Sequence, residues 1–189
     1  MKLILMLYLF NSCASSPEKL GTDLVQSNNW FIDGPTVENT STINALRKKN
    51  NCIKVTANNT PSGEIELHVM ITPTLSGAHN GAATKLSKSS NFVQITYSAS
   101  HPIVLQARQG NTKGDDCIHG GSHPQTNIPA SPNKFTTIKI SWTKFKQDGK
   151  PDGTPLDISN LCKFNFVNYK PVQGASFEIS SVILENFKL

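Results

Sequence analysis

Apolar residues recur at every second position through much of the chain, and that period decides what it can fold into. Ile53, Val55 and Ala57 alternate with Lys54 and Thr56, and Ile65, Leu67, Val69 and Ile71 alternate with Glu66, His68 and Met70. The same beat runs through Val93, Ile95 and Tyr97, through Ile103, Leu105 and Ala107, and through Ile138, Ile140 and Trp142. It returns in Cys162, Phe164 and Phe166, then in Phe177, Ile179 and Ser181. Successive side chains of a strand point to opposite faces, so each run buries one face and offers the other to solvent or a ligand. Turn-forming clusters separate the runs: Asn58 to Gly63, Ser76 to Gly81, Gln147-Asp148-Gly149 and Pro151-Asp152-Gly153. No stretch carries an amphipathic helix of three turns. About eight short strands with Gly- and Pro-containing loops give an all-β chain, a two-sheet sandwich or a barrel.

The first thirteen residues are a different material. Lys2 precedes an unbroken apolar run from Leu3 to Phe10, and small or polar residues follow from Asn11 to Ser16. This is the pattern of a secretory signal peptide, too short to span a bilayer permanently. Phe10-Asn11-Ser12-Cys13 resembles a bacterial lipobox, which would make Cys13 the lipidated first residue of the mature chain. Ordinary cleavage after Ala14 or Ser15 is the alternative. The expected organisation is a signal over 1–13, a polar tether over 14–27 and one β-sandwich domain over 28–189. The expected location is secreted or a cell-surface or outer-membrane lipoprotein, held at the membrane through Cys13.

A length of 189 residues suits one domain and leaves little room for a second core. Charged residues are only 16% of the chain, and the net charge is +5. The basic residues are scattered, with one local cluster at Arg47-Lys48-Lys49, so nucleic acid is not the expected partner. Beyond Cys13 the cysteines are Cys52, Cys117 and Cys162, which allow at most one internal disulfide. None lies in a C-x-x-C arrangement, so zinc and redox sites lack support.

Longer stretches carry a family likeness. Phe135-Thr136-Thr137-Ile138-Lys139-Ile140-Ser141-Trp142-Thr143-Lys144-Phe145 leads to Leu156-Asp157-Ile158-Ser159-Asn160-Leu161. Lys163-Phe164-Asn165-Phe166 and Phe177-Glu178-Ile179-Ser180-Ser181-Val182 follow. This order is similar to the C-terminal half of jelly-roll carbohydrate-binding modules attached to bacterial cellulases and related glycoside hydrolases, such as the family-eleven type. Phe92 to Ala99, Pro102 to Arg108, and the loop from Gly120 to Ala130 resemble the middle of the same domains. The likeness spans residues 85–187. It implies an antiparallel β-sandwich of the jelly-roll, galactose-binding-like type, and a polysaccharide or oligosaccharide as partner. The last strand of such modules usually carries an Asp after its F-x-I triplet, often tied to a structural calcium. Here that place holds Ser180, and no cofactor is expected.

Sugar recognition needs flat rings for the C–H side of a pyranose and polar groups for its hydroxyls. Gln106 and Arg108 project from one face of a strand, opposite Leu105 and Ala107. Asn165 and Tyr169 share a face opposite Phe164 and Phe166, and the resemblance puts that face in the sheet of Gln106. Tyr169 brings a ring and a hydroxyl together. The stretch His119-Gly120-Gly121-Ser122-His123-Pro124-Gln125 reads as a loop rimming a groove, with His119, His123 and Gln125 as hydrogen-bonding candidates. Its glycines and proline argue against a helix that would bring the two histidines together as zinc ligands. Trp30, Tyr97 and Trp142 read as packing.

Asp115, Asp116, Asp148, Asp152 and Asp157 sit in Gly-rich loops without EF-hand spacing and read as turn residues. A glycosidase needs two convergent carboxyls; Glu66 and Glu178 are the pair on strands. Nothing around them forms a catalytic signature, so the expectation is non-catalytic polysaccharide binding. The alternatives are an adaptor lipoprotein contacting a protein and, third, a small jelly-roll hydrolase.

Overall fold

The computed structural model of the chain describes residues 21–27, 29–37, 52–58, 62–71, 86–87, 89–109 and 123–187. The signal segment, Cys13, the Arg47–Lys49 cluster, Asp115, Asp116, Cys117 and His119 lie outside the described residues. Among the described residues the strands are β1 (Trp30–Asp33), β2 (Ile53–Thr56), β3 (Ile65–Met70), β4 (Phe92–Ala99) and β5 (Ile103–Gln109), then β6 (Pro124–Ile128), β7 (Ser131–Ser141), β8 (Lys146–Gln147), β9 (Leu161–Asn168) and β10 (Ser176–Leu184). They form a six-stranded sheet in the order β1-β3-β9-β5-β6-β8 and a four-stranded sheet in the order β2-β10-β4-β7. The pairings between these strands are antiparallel. Chain order shuttles repeatedly between the two sheets, which is jelly-roll connectivity.

The two-residue period explains the core. Leu67, Val69, Leu105, Phe164 and Phe166 from the larger sheet meet Val55, Ile95, Tyr97, Phe177 and Ile179 from the smaller one. Each large apolar side chain so buried contributes on the order of 1.5–3 kcal/mol. The polar tips of the buried aromatics find partners. Tyr97 donates its hydroxyl to the Pro129 carbonyl at 3.0 Å, and Trp142 donates Nε1 to Ser90 Oγ at 3.2 Å. The Trp142 ring lies nearly parallel to Phe164, with centroids 6.4 Å apart.

Several expectations are corrected. The tether does not run to residue 27: Leu24 and Val25 are buried in the core, on a 3-10 turn spanning Leu24–Ser27. Asp23 anchors that entry, its carboxylate accepting from the Val25 and Val182 amides at 3.0 Å each. Two apolar side chains among polar neighbours give too little periodicity to reveal such a docking. The strand through Ile140 ends as Trp142 begins a 3-10 turn, Trp142–Lys144, capped by Ser141, in keeping with the W-x-x-F turn of the sequence. The rim loop through Gln125 becomes strand β6 from Pro124 onward; proline is admitted at a strand's first position, and the polar Pro124–Ile128 stretch shows no alternation. Finally, strands β3, β5 and β9 are buried on both faces at most positions, so their second face is not solvated. Cys162 is disulfide-bonded and Cys52 is free, so these two are not partners.

Candidate functional site

The outer face of the six-stranded sheet carries registered rows of side chains. Directly paired residues from the six strands form the middle row: Phe31, His68, Asn165, Gln106, Gln125 and Lys146. On one side of it lie Asp33, Glu66, Val167 and Val104; on the other lie Met70, Lys163 and Arg108. Residues two apart on a strand share a face, which makes these rows parallel neighbours.

The central part of the face is closed by its own side chains. Asn165 has no exposed surface, and His68, Gln106, His123 and Lys163 are each under 8% exposed. Phe31 stacks on His68 with ring centroids 4.2 Å apart and planes 10° from parallel. The Lys163 ammonium lies 5.4 Å from the centre of the Phe31 ring. Gln106 donates its amide to the Tyr169 hydroxyl, and Arg108 is in hydrogen-bond contact with His123 Nε2.

Tyr169 reaches this face because the chain turns as β9 ends. The Lys170 amide donates to Asn168 Oδ1 at 3.2 Å, a side-chain turn that swings Tyr169 over the sheet. Its hydroxyl also lies 3.5 Å from Gln125 Oε1. Tyr169 is 45% exposed and Gln125 half-buried, so their side of the face is the one open to solvent.

Glu66 ties the rows together. It accepts from Asn165 Nδ2 at 3.1 Å, and His68 Nε2 lies 2.9 Å from the same oxygen, close but off the axis of a good hydrogen bond. Burial pushes the Glu66 carboxyl up, but contact with His68 and the charges of His68, Arg108 and Lys163 together hold it below its usual value. Burial, helped by Lys163 and Arg108, lowers His68 in spite of Glu66, so its imidazole is neutral near pH 7. Burial and the neighbouring Arg108 bring Lys163 down to about 8. The Tyr169 phenol is raised, by burial first.

Several buried polar atoms on this face have no hydrogen-bond partner among the described residues: His68 Nδ1, Asn165 Oδ1, Gln106 Oε1 and Arg108 Nε. They stand on three adjacent strands, β3, β9 and β5.

The structure thus brings Gln106, Arg108, His123, Gln125, Asn165 and Tyr169 together on one face. Glu66, His68, Lys163 and Phe31 belong to the same cluster, though sequence reasoning gave them no part in ligand binding. Their strand parity was readable, as Glu66 and His68 alternate with Ile65 and Leu67; the strand register that sets them beside Asn165 was not. The pair named for the hydrolase alternative does not converge. Glu66 is on the outer face of the larger sheet, and Glu178 is on the outer face of the smaller one beside Lys54, with the core between them. Asp157 caps the 3-10 turn before β9, and Asp148 sits in a turn 3.5 Å from Lys150.

No protein-family model and no curated protein matches the sequence. Solved structures do. A family 11 carbohydrate-binding module of a cellulosomal cellulase from Clostridium thermocellum superposes with a TM-score of 0.52 at 16% identity, over 85% of this chain and 84% of that one. A family 11 module from the same organism, in complex with a β-1,3-1,4-mixed-linked tetrasaccharide, gives 0.52 at 15% identity, over 82% and 88%. An agarase gives 0.54 at 11% identity over 97% of this chain, which spans only 24% of the agarase. Likeness at such identities is a likeness of fold: the chain is a jelly-roll β-sandwich, similar in fold to these modules.

Proposed function

We propose that this chain binds a polysaccharide, without acting on it chemically, through the outer face of its six-stranded sheet. The line of buried polar atoms on β3, β9 and β5 that lack partners among the described residues carries this reading. A buried group left unpaired costs about 1–3 kcal/mol. A sugar hydroxyl both donates and accepts, so one glycan serves the Gln106 and Asn165 oxygens and the His68 and Arg108 nitrogens alike. Tyr169 supplies the exposed ring for the C–H face of a pyranose, with Gln125 and His123 beside it. Entry from the Tyr169 side requires the tyrosine to turn off Gln106, exchanging that contact for the ligand. A module of this fold solved with a tetrasaccharide supports the reading.

Changing Arg108 and Tyr169 together to alanine tests it. The double variant loses retention on a glycan gel while its melting temperature moves by only a few degrees. Retention that survives the double change rejects this site.

We further propose export, with Cys13 as a lipidated N-terminus. The apolar run Leu3–Phe10 ending near Cys13 supports it. Detergent-phase partitioning of the expressed protein, lost in Cys13→Ser, is the expected result; equal partitioning of both forms rejects the anchor. The adaptor reading draws on Tyr169 and Val172, exposed at 45% and 55% beyond β9. It predicts a co-purifying protein and no glycan retention.

A further inference from the structure

Asn165 on β9 and Gln106 on β5 are direct cross-strand partners, and the side-chain nitrogen of each is already committed. Asn165 Nδ2 donates to Glu66 Oε2 at 3.1 Å. Against burial, contact with His68 and the charges of His68, Arg108 and Lys163 hold Glu66 below its usual value, so it is ionised at neutral pH. An ionised carboxylate only accepts, which fixes the end of the Asn165 amide that faces it. Gln106 Nε2 donates to the Tyr169 hydroxyl, whose own proton is directed at Gln125 Oε1, 3.5 Å away. Each amide is left with its carbonyl oxygen. Asn165 Oδ1 and Gln106 Oε1 are buried and have no hydrogen-bond partner among the described residues.

An amide oxygen can only accept. The centre of the row therefore asks a ligand for two donors side by side. Glycosidic, ether and ester oxygens cannot donate, whereas free hydroxyls can. Residues directly opposite on antiparallel strands have their Cβ atoms about 4.5–5.5 Å apart. With O–H···O bonds of about 2.7–2.8 Å, two hydroxyls on neighbouring carbons of one sugar ring span such a pair. Tyr169 stands at the way in, and the pairing of β9 with β3 ends at Asn168, so its side chain can turn aside with the ladder intact.

We propose that the ligand is a glycan carrying an unsubstituted vicinal diol, whose two hydroxyls donate to Asn165 Oδ1 and Gln106 Oε1. This rests on the carbohydrate reading above and names its substrate class. A glycan methylated or acetylated at those hydroxyls leaves both oxygens buried and unpaired, and a site built to receive hydroxyl donors discriminates strongly against such a ligand.

Affinity electrophoresis tests the proposal with soluble xylan, galactomannan and mixed-linkage β-glucan, each run beside its own O-methylated form. At least one native polymer should retard the protein about tenfold more strongly than its methyl ether, the size of one buried hydrogen bond lost. Methylation also adds bulk. Gln106→Met keeps the side chain's length but removes the acceptor, so it should weaken retention by the native polymer and narrow the gap to the methyl ether. A gap unchanged in Gln106→Met, with native circular dichroism, assigns the effect to bulk and overturns the proposal. Should that variant not fold, the parent protein decides the matter with polymers cleaved by periodate and reduced with borohydride. These keep free hydroxyls without added bulk, but the former neighbours no longer share a ring, and retention should fall about tenfold. Equal retention of native and methylated polymers, or of intact and cleaved ones, overturns the diol assignment and leaves carbohydrate binding standing. Retention by none of the native polymers removes both.

Discussion

Asn165 and Gln106 stand directly opposite each other on β9 and β5, at the centre of the polar row. Their amides divide the work: Asn165 donates to Glu66, and Gln106 donates to Tyr169. Each leaves its carbonyl oxygen buried without a partner among the described residues. Changes at these positions therefore affect folding and binding in separable ways.

Asn165→Asp places a second carboxylate against Glu66 in a fully buried position. The loss of the amide donor and the like-charge contact should destabilise the fold by about 3 kcal/mol. Urea unfolding at pH 7 measures this, and the penalty should shrink toward pH 4 as the pair takes up a proton.

Lys163 makes stability depend on alkaline pH. Its folded value of about 8 lies below the ordinary 10.5, so between those values the unfolded chain holds more of the proton. Stability then rises with pH through that window, and below about 8 the full cost of the buried charge, roughly 2–3 kcal/mol, is present. Lys163→Met should remove that rise. The difference in urea midpoint between variant and parent, measured at pH 7 and pH 10, should narrow at the higher pH.

Cys52 should resist thiol reagents. It is buried, its thiol lies 3.5 Å from Glu178, and burial followed by the Glu178 charge raises it to about 11 from 9.0. The thiolate fraction at neutral pH is then about 100-fold below that of an ordinary cysteine. Titration with an aromatic disulfide reagent should give a slow phase that becomes fast in denaturant.

Gly34 sits between β1 and the Glu64–Glu66 segment with a φ of +85°. A Cβ there would come within 2.0 Å of the Glu64 carbonyl oxygen. Gly34→Ala should cost about 2 kcal/mol or more, since backbone rather than a flexible side chain must move. Thermal unfolding measures it.

The two-sheet fold was legible because Ile65–Leu67–Val69 and Phe164–Phe166 announce their buried face without reference to any other strand. Strands β1 and β6 were not: Trp30–Asp33 is too short to show a period, and Pro124–Ile128 is polar and earns its place by pairing with Ile103–Gln106. That Gln106, Arg108 and Asn165 share one face was legible from parity and family likeness; Tyr169 joins them through the turn after β9. Glu66, His68 and Lys163 join it through strand register, a long-range property that spacing along the chain does not encode. The same closeness of rows explains why a face expected to be open is largely closed: long polar side chains on adjacent strands lie about 4.8 Å apart and cover one another.

The most direct test of the account is affinity electrophoresis of the folded protein through a panel of soluble neutral and anionic glycans. The account predicts retardation by one class, lost in the Arg108→Ala, Tyr169→Ala double variant. Free migration through every glycan, with native circular dichroism intact, would contradict it.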